Sequence, residues 1–325
     1  MTDKHDSKPT EERPEGRAFR FAEDLRGAPW ALQSDAMGIV ASPLAAPMRG
    51  ARGAGARSGA IAILPMSGVL TPGGYYDGGD TSTDAFAAAL MDVINDDTVG
   101  AVLLDINSPG GSVYGTGELA DLIYSARKAK PVIGLANSLA ASAAYWTGSQ
   151  CTEFYCTPGG EVGSIGVYTM HMDMSGLMNA MGMKATLISA GKFKTEGNPF
   201  EPLTDEARAA IQASVDGYYA AFTQAVARGR NAPVASVRDG MGQGRVLGAK
   251  DALAAGMIDG IATRADVLRG MARKLKGAQG SVAELIAMED VPEPEPVAQP
   301  DFAALESARA RAHAARAREL DILSL

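Results

Sequence analysis

Val99-Gly-Ala-Val-Leu-Leu-Asp-Ile106, followed at once by Asn107-Ser-Pro-Gly-Gly-Ser112, decides how this chain folds. The first eight residues are a near-continuous apolar run. Such a run fits a strand buried on both faces, as in a parallel sheet covered by helices on each side. Ser108-Pro-Gly-Gly111 reads as the loop that ends it. Two glycines at the C-terminal edge of a strand let backbone N–H groups face a ligand without side-chain obstruction, as in an oxyanion hole or a phosphate nest. The stretch matches neither G-x-x-x-x-G-K-[ST] nor G-x-G-x-x-G, which disfavours nucleotide binding.

Working outward, strands and helices alternate. Strands are expected at Ala60–Leu70, Pro131–Ala136, near Glu153–Cys156, at Val162–His171 and at Ala185–Ser189. Helices are expected at Thr83–Asn95 with Thr83 as its N-cap, Gly117–Ala129, Ala140–Gly148, and briefly near Met174–Met181. A long helix should run from Asp205 to Arg228, capped by Thr204, with Asp205 and Glu206 complementing its dipole. This alternation predicts an α/β fold with a largely parallel sheet. The chain divides into a charged, disordered leader (1–20), an N-terminal arm and small-residue connector (21–59), one catalytic unit (60–276), a stiff Pro/Glu linker (277–300) and a helical tail (301–325) that suits docking to a partner.

Composition narrows the function. Of 325 residues, 46% are hydrophobic and 21% charged, enough apolar material for a sizeable core. Lys and Arg number 30 against 38 Asp and Glu, a net charge of −8, so a basic nucleic-acid footprint is not expected. Cys151 and Cys156 are the only cysteines, which excludes a disulfide scaffold; their C-x4-C spacing is a poor zinc signal and reads as two buried free thiols. Of the histidines, His5 and His313 lie in the leader and tail, leaving His171 for any Ser-His-Asp triad. Met1 to Arg20 has no apolar core of a signal peptide, and the most apolar window, Pro131 to Gly148, is interrupted by Asn137, Ser138, Ser142 and Thr147. A soluble, cytoplasmic protein without a membrane anchor is expected.

Two further segments carry reactive side chains. In Ala136-Asn-Ser-Leu-Ala-Ala-Ser-Ala-Ala-Tyr145, Ser142 sits at a strand-to-helix junction among alanines small enough to admit a substrate carbonyl. In Ser189-Ala-Gly-Lys-Phe-Lys-Thr-Glu-Gly-Asn-Pro-Phe200, an apolar strand runs into lysines. A lysine acts as a general base only when neutral; moving an ammonium from about 10.4 to near 7 takes roughly 4–5 kcal/mol, which apolar burial can supply. Taken alone, each segment also suits ordinary packing or a solvated surface.

Their order adds information. Ser108-Pro-Gly-Gly111, then Ala140-Ala-Ser-Ala-Ala-Tyr145, then Pro158 to Val167, then Gly191 to Phe200 with Lys194 in its fourth place, then Gly244 to Gly260, together resemble the signal peptide peptidase A-like serine peptidases. Within them the chain looks most similar to the phage and prophage capsid assembly (prohead) proteases. The resemblance implies the Clp protease/crotonase-like fold of stacked ββα units and a Ser/Lys dyad with no cofactor or metal. By motif match Ser142 takes the nucleophile position and Lys194 the general-base position, with Lys192 as the competing base. Gly110 and Gly111 match the oxyanion loop, and Ser164 could orient the lysine. The Ala143 N–H is a further oxyanion donor on geometric grounds. Ala143-Ala144 departs from the Gly-Gly of many relatives, which changes pocket shape more than chemistry.

The resemblance also implies a homo-oligomeric ring and polypeptide substrates: scaffold, portal or capsid proteins if the chain is phage-derived. Four alternatives remain open at this point. They are general peptide degradation in the cytoplasm, a Clp-type peptidase using His171, a crotonase-like acyl-CoA enzyme with an acid such as Glu118, and an inert scaffold protein.

Overall fold

The computed structural model describes residues 30–32, 56–58, 61–74 and 80–276. At its centre is strand β5 (Ala101–Ser112), flanked by β3 (Ile61–Thr71) and β6 (Val132–Ala141), both parallel to it. The sheet continues through β7 (Glu153–Cys156) to β10 (Gly260–Ile261) on one side and to β2 (Ala56–Ser58) on the other. Four short strands complete it: β1 (Trp30–Leu32) on β5, β4 (Thr81–Ser82) on β3, and β8 (Glu161–Gly163) between β6 and β9 (Val246–Gly248).

The apolar run behaves as its composition demands. Val102, Leu104 and Ile106 point into one buried cluster, Ala101 and Leu103 into another, because successive strand residues face opposite sides. The first cluster lies under helices α1 (Thr83–Asn95), α2 (Thr116–Ala126), α3 (Ala143–Gly148) and α5 (Asp205–Arg230). The second is closed by Val267 and Met271 of α8 (Arg264–Lys276). Helices α4 (Ser175–Ala180), α6 (Val234–Gly240) and α7 (Ala249–Ala254) complete the set among the described residues. The α/β class and the largely parallel sheet are therefore as expected.

Helix α3 positions the candidate serine. All six of its residues are buried. Trp146 stacks on Phe222 of α5 with centroids 4.6 Å apart, and the Tyr145 hydroxyl donates to Met257 O at 2.9 Å. Helix α5 is tied down in turn. Arg230 donates twice to Asp259, at 2.8 and 2.7 Å, and Asp259 also accepts the Phe154 N–H at 2.7 Å. Burial works against charge on Asp259, but these hydrogen bonds outweigh it and hold the carboxyl below its usual range.

Several local expectations change. Ser108–Ser112 is not a loop; β5 runs through it, because β3 and β1 pair with both its edges. Strand β6 continues five residues past Ala136 to Ala141, since Leu139–Ala141 pairs with β8, so helix α3 begins at Ala143 rather than Ala140. The cap of α1 is Ser82, whose hydroxyl accepts the Ala85 N–H, one residue before the expected Thr83. Helix α2 stops at Ala126 and α5 extends to Arg230. Of Val162–His171 only the first two residues join a strand, for Ser164 turns to φ 55°. Ala185–Ser189 forms no strand: every residue from 181 to 194 is exposed and none has a ladder partner. Ala56–Ser58 of the expected connector is a strand on β3. The leader, the linker at 277–300 and the tail at 301–325 lie outside the described residues.

The Arg230–Asp259 pair generates a stability prediction. Arg230→Met should cost about 2 kcal/mol in urea unfolding, at the lower end for a buried pair because the Asp259 side chain is 39% exposed. Adding Asp259→Leu should recover part of that loss, since the carboxylate left without its partner is removed.

Candidate functional site

Three strands lose register at one level of the sheet. Ser67 of β3 faces Asn107 and Val69 faces Gly110, so two residues of β5 oppose one. On the other side Ile106 faces Ala136 while Ser108 faces Ala140. Such bulges bend strands and re-aim their ends. Here Ser108, fully buried, stitches the break: its hydroxyl donates to Gly68 O at 2.6 Å and accepts the Gly110 N–H at 3.1 Å. Two positions require glycine. Gly110 has φ 104°, and a Cβ on Gly111 would lie 1.9 Å from Leu70 O. The pair of glycines thus lets β3 pass closer than any side chain permits.

Asp80 braces the same bulge from outside, accepting the Val69 N–H at 2.8 Å. Burial pushes its carboxyl up to about 6, against the Val69 hydrogen bond, which favours the charged form. Thr81 adds a two-way link, accepting the Ser67 N–H at 2.9 Å and donating to Ser67 O at 2.8 Å.

Ser142 lies two residues past Ala140, at the N-cap of α3. A serine there ordinarily accepts a hydrogen bond from the first turn. This one does not: its φ is 55° and ψ −118°, it makes no capping bond, and its buried Oγ has no hydrogen-bond partner among the described residues. Its backbone is clamped instead, the N–H donating to Gly163 O at 2.7 Å and the C=O accepting from Trp146 at 2.8 Å. Strained, non-glycine φ/ψ persists only where the surroundings over-determine it, and it concentrates at functional sites. An unpartnered buried hydroxyl likewise calls for an explanation.

The other expected residues divide. Ser164 follows the Gly163 that clamps Ser142, is buried, has φ 55°, and donates its N–H to Arg245 O at 2.8 Å. Register between β6 and β8 sets Ala141 opposite Gly163, so the two serines leave neighbouring strand ends. Ala143 is the first residue of α3, where an N–H has no intrahelical acceptor. The Gly110 N–H is taken by Ser108, a turn that must open before it can face an oxyanion. Lys194 is exposed in a turn at 191–197, with no side-chain partner among the described residues. Lys192 pairs with Glu206 at 3.5 Å and lies over the Phe193 ring. The single chain therefore sets Ser142 and Ser164 on neighbouring strand ends and joins Lys194 to neither. It does not join His171 either, whose two ring nitrogens are enclosed and without partners among the described residues.

Cys151 and Cys156 are buried free thiols, pushed by burial up to about 12 and about 11 and so unreactive near neutrality. No group of three or more metal-ligating side chains and no helix able to cross a membrane occurs among the described residues. Sequence reasoning missed Ser108 and Asp80. Ser108 stood in the motif itself, but its partner is a carbonyl 40 positions earlier.

Ser108→Ala should cost about 1–3 kcal/mol in chemical unfolding, because it leaves a partly buried carbonyl and a buried N–H without that partner. Asp80 favours its protonated form in the fold. Its contribution is complete below the unfolded value near 3.8 and is lost as pH rises through about 6. Asp80→Asn keeps an oxygen for Val69, so its melting temperature relative to the parent should rise between pH 4 and pH 7.

Residues 125–279 match the model of Peptidase family S49, a span that contains Ser142, Ser164 and Lys194. The chain is 35% identical over 234 residues to the head-tail preconnector protein GP5 of Enterobacteria phage P21, covering 70% of this chain and 46% of that protein. It is 32% identical over 214 residues to the capsid assembly protease C of Escherichia phage lambda, covering 65% and 48%. With a putative signal peptide peptidase SppA of Enterococcus faecium it shares 27% identity over 234 residues, covering 71% and 68%. The chain spans about half the length of the two phage relatives. The sheet ends in a strained, uncapped serine, and that serine lies within the span of the chain that is similar to Peptidase family S49.

Proposed function

We propose that this chain is a serine endopeptidase in which Ser142 is the nucleophile and Lys194 the general base, acting on head proteins of a phage or prophage. The observation that carries this reading is the Ser142 hydroxyl, which is held at a cap position, in a strained conformation, with no hydrogen-bond partner among the described residues. A structural serine would use its cap. The domain match and the names of the phage relatives support the substrate class.

In this mechanism neutral Lys194 takes the Ser142 proton as Oγ attacks the scissile carbonyl. The oxyanion forms against the amides of Gly111 and Ala143, joined by Gly110 once its turn to Ser108 opens. Lys194 then gives the proton to the leaving amine as the C–N bond breaks, leaving an acyl-enzyme. Water, deprotonated by Lys194, releases the acid and restores Ser142. Ser164, next to the clamp on Ser142, orients the lysine. Proton and acyl transfers balance between these groups and water, so the reaction needs no cofactor.

Lys194 reaches Ser142 in a homo-oligomer. Its segment exposes Leu177 (56%), Met181 (62%), Ile188 (96%) and Phe193 (51%). A run of apolar side chains on this scale marks an interaction surface. A second copy that covers it would exclude water around the amine and supply the serine it lacks.

Ser142→Ala and Lys194→Ala should each lower peptide turnover about a hundredfold or more, while His171→Ala stays within a few-fold of the parent. Mixing the two inactive variants should restore part of the activity if the dyad is shared between copies; verified mixed oligomers without activity would place it within one chain.

A further inference from the structure

Strand β1 lies where a substrate would be expected to lie. Gly110 and Gly111 pair with Val69 and Leu70 of β3 along one edge of β5. A strand has two edges, so β1, which pairs with Gly110, Gly111 and Ser112, holds the other. That edge belongs to β6 as far as Ser108, opposite Ala140. Beyond Ser108 β6 has no further register partner on β5; on its other edge it pairs with β8 through Leu139–Ala141, and it runs into Ser142. The β5 edge past Ser108 is thus left by β6, and Trp30–Leu32 occupies it at Gly110–Ser112 in the antiparallel direction.

We propose that β1 is a resident occupant of a polypeptide-binding edge, and that the chain shields its candidate cleft until Trp30–Leu32 is withdrawn and an extended polypeptide adds in its place. The inference rests on the peptidase reading for the identity of the incoming strand as substrate. The edge itself suits strand addition: main-chain hydrogen bonds supply affinity, and the two glycines offer no side chain to obstruct the partner. The size of β1 fits a displaceable occupant. Three residues contribute only a few main-chain hydrogen bonds at roughly 1 kcal/mol each, so a longer polypeptide pairing with the same edge competes well. The occupied residues include both glycines assigned to the oxyanion site, so occupation and catalysis exclude each other.

The test uses the full chain carrying Ala31→Pro and Leu32→Pro. Consecutive strand residues direct their N–H groups to opposite sides, so this pair removes at least one donor to the edge whichever side faces it. Three readouts are compared with the parent: amide hydrogen exchange at Gly111 and Ser112, binding of a fluorescent peptide with the sequence of residues 27–35 to each chain in a Ser142→Ala background, and peptide turnover without that change. The proposal expects exchange at least tenfold faster, peptide binding at least tenfold tighter, and turnover several-fold higher. A chain with Trp30→Gly, Ala31→Gly and Leu32→Gly, which weakens the strand without proline, should shift each readout in the same direction and serves if the proline chain fails to fold. Unchanged exchange and binding would overturn the proposal even if every chain cleaves peptide. Faster exchange and tighter binding with no turnover in any chain would keep the resident strand and reject the peptidase reading.

Discussion

The close approach of β3 to Gly111 is the constraint on which the site depends. With a Cβ at that position 1.9 Å from Leu70 O, no other residue fits without moving a central strand. The approach requires β5 to gain a residue against β3, and that bulge frees the Gly68 carbonyl, which the buried Ser108 hydroxyl then satisfies. On the opposite side β6 breaks register too, and its displaced end carries Ser142. Glycine pair and serine are thus consequences of one irregularity in three adjacent strands.

The rest of the fold supports that irregularity. Helix α3 is too short to stand alone and is held by burial of every side chain, by the Trp146–Phe222 stack and by the Tyr145 hydroxyl on Met257. Helix α5, which supplies Phe222, is anchored by Arg230 to Asp259 and thence to the Phe154 backbone. The clamp on the Ser142 N–H needs Gly163, whose φ is 127° and where a Cβ would meet Arg245 O at 2.7 Å. Strain at Ser142 is sustained by these contacts rather than relieved by a cap.

Burial on both faces made β5 legible, because a parallel strand covered by helices has an apolar sequence without alternation. Ser108-Pro-Gly-Gly111 carries turn residues, and only tertiary pairing on both edges keeps it extended. Ala185–Ser189 has a strand's composition but no strand neighbour among the described residues. Ser142 stands out as a candidate from ordered motifs and from its place between strand and helix. Its missing cap, the buried role of Ser108 and the brace from Asp80 depend on contacts between distant residues, which no local pattern encodes. Lys194 remains the residue for which motif and single-chain geometry diverge, and its exposed apolar neighbours account for the difference if a second copy covers them.

The central claim is that Ser142 is a nucleophile made reactive by Lys194. It is tested most directly by treating the assembled protein with a fluorophosphonate probe and mapping the adduct by peptide mass spectrometry. The account predicts one adduct, on Ser142, which is lost or slowed about a hundredfold or more in Lys194→Ala. An adduct on another residue, or labelling of Ser142 undiminished by Lys194→Ala, would contradict it.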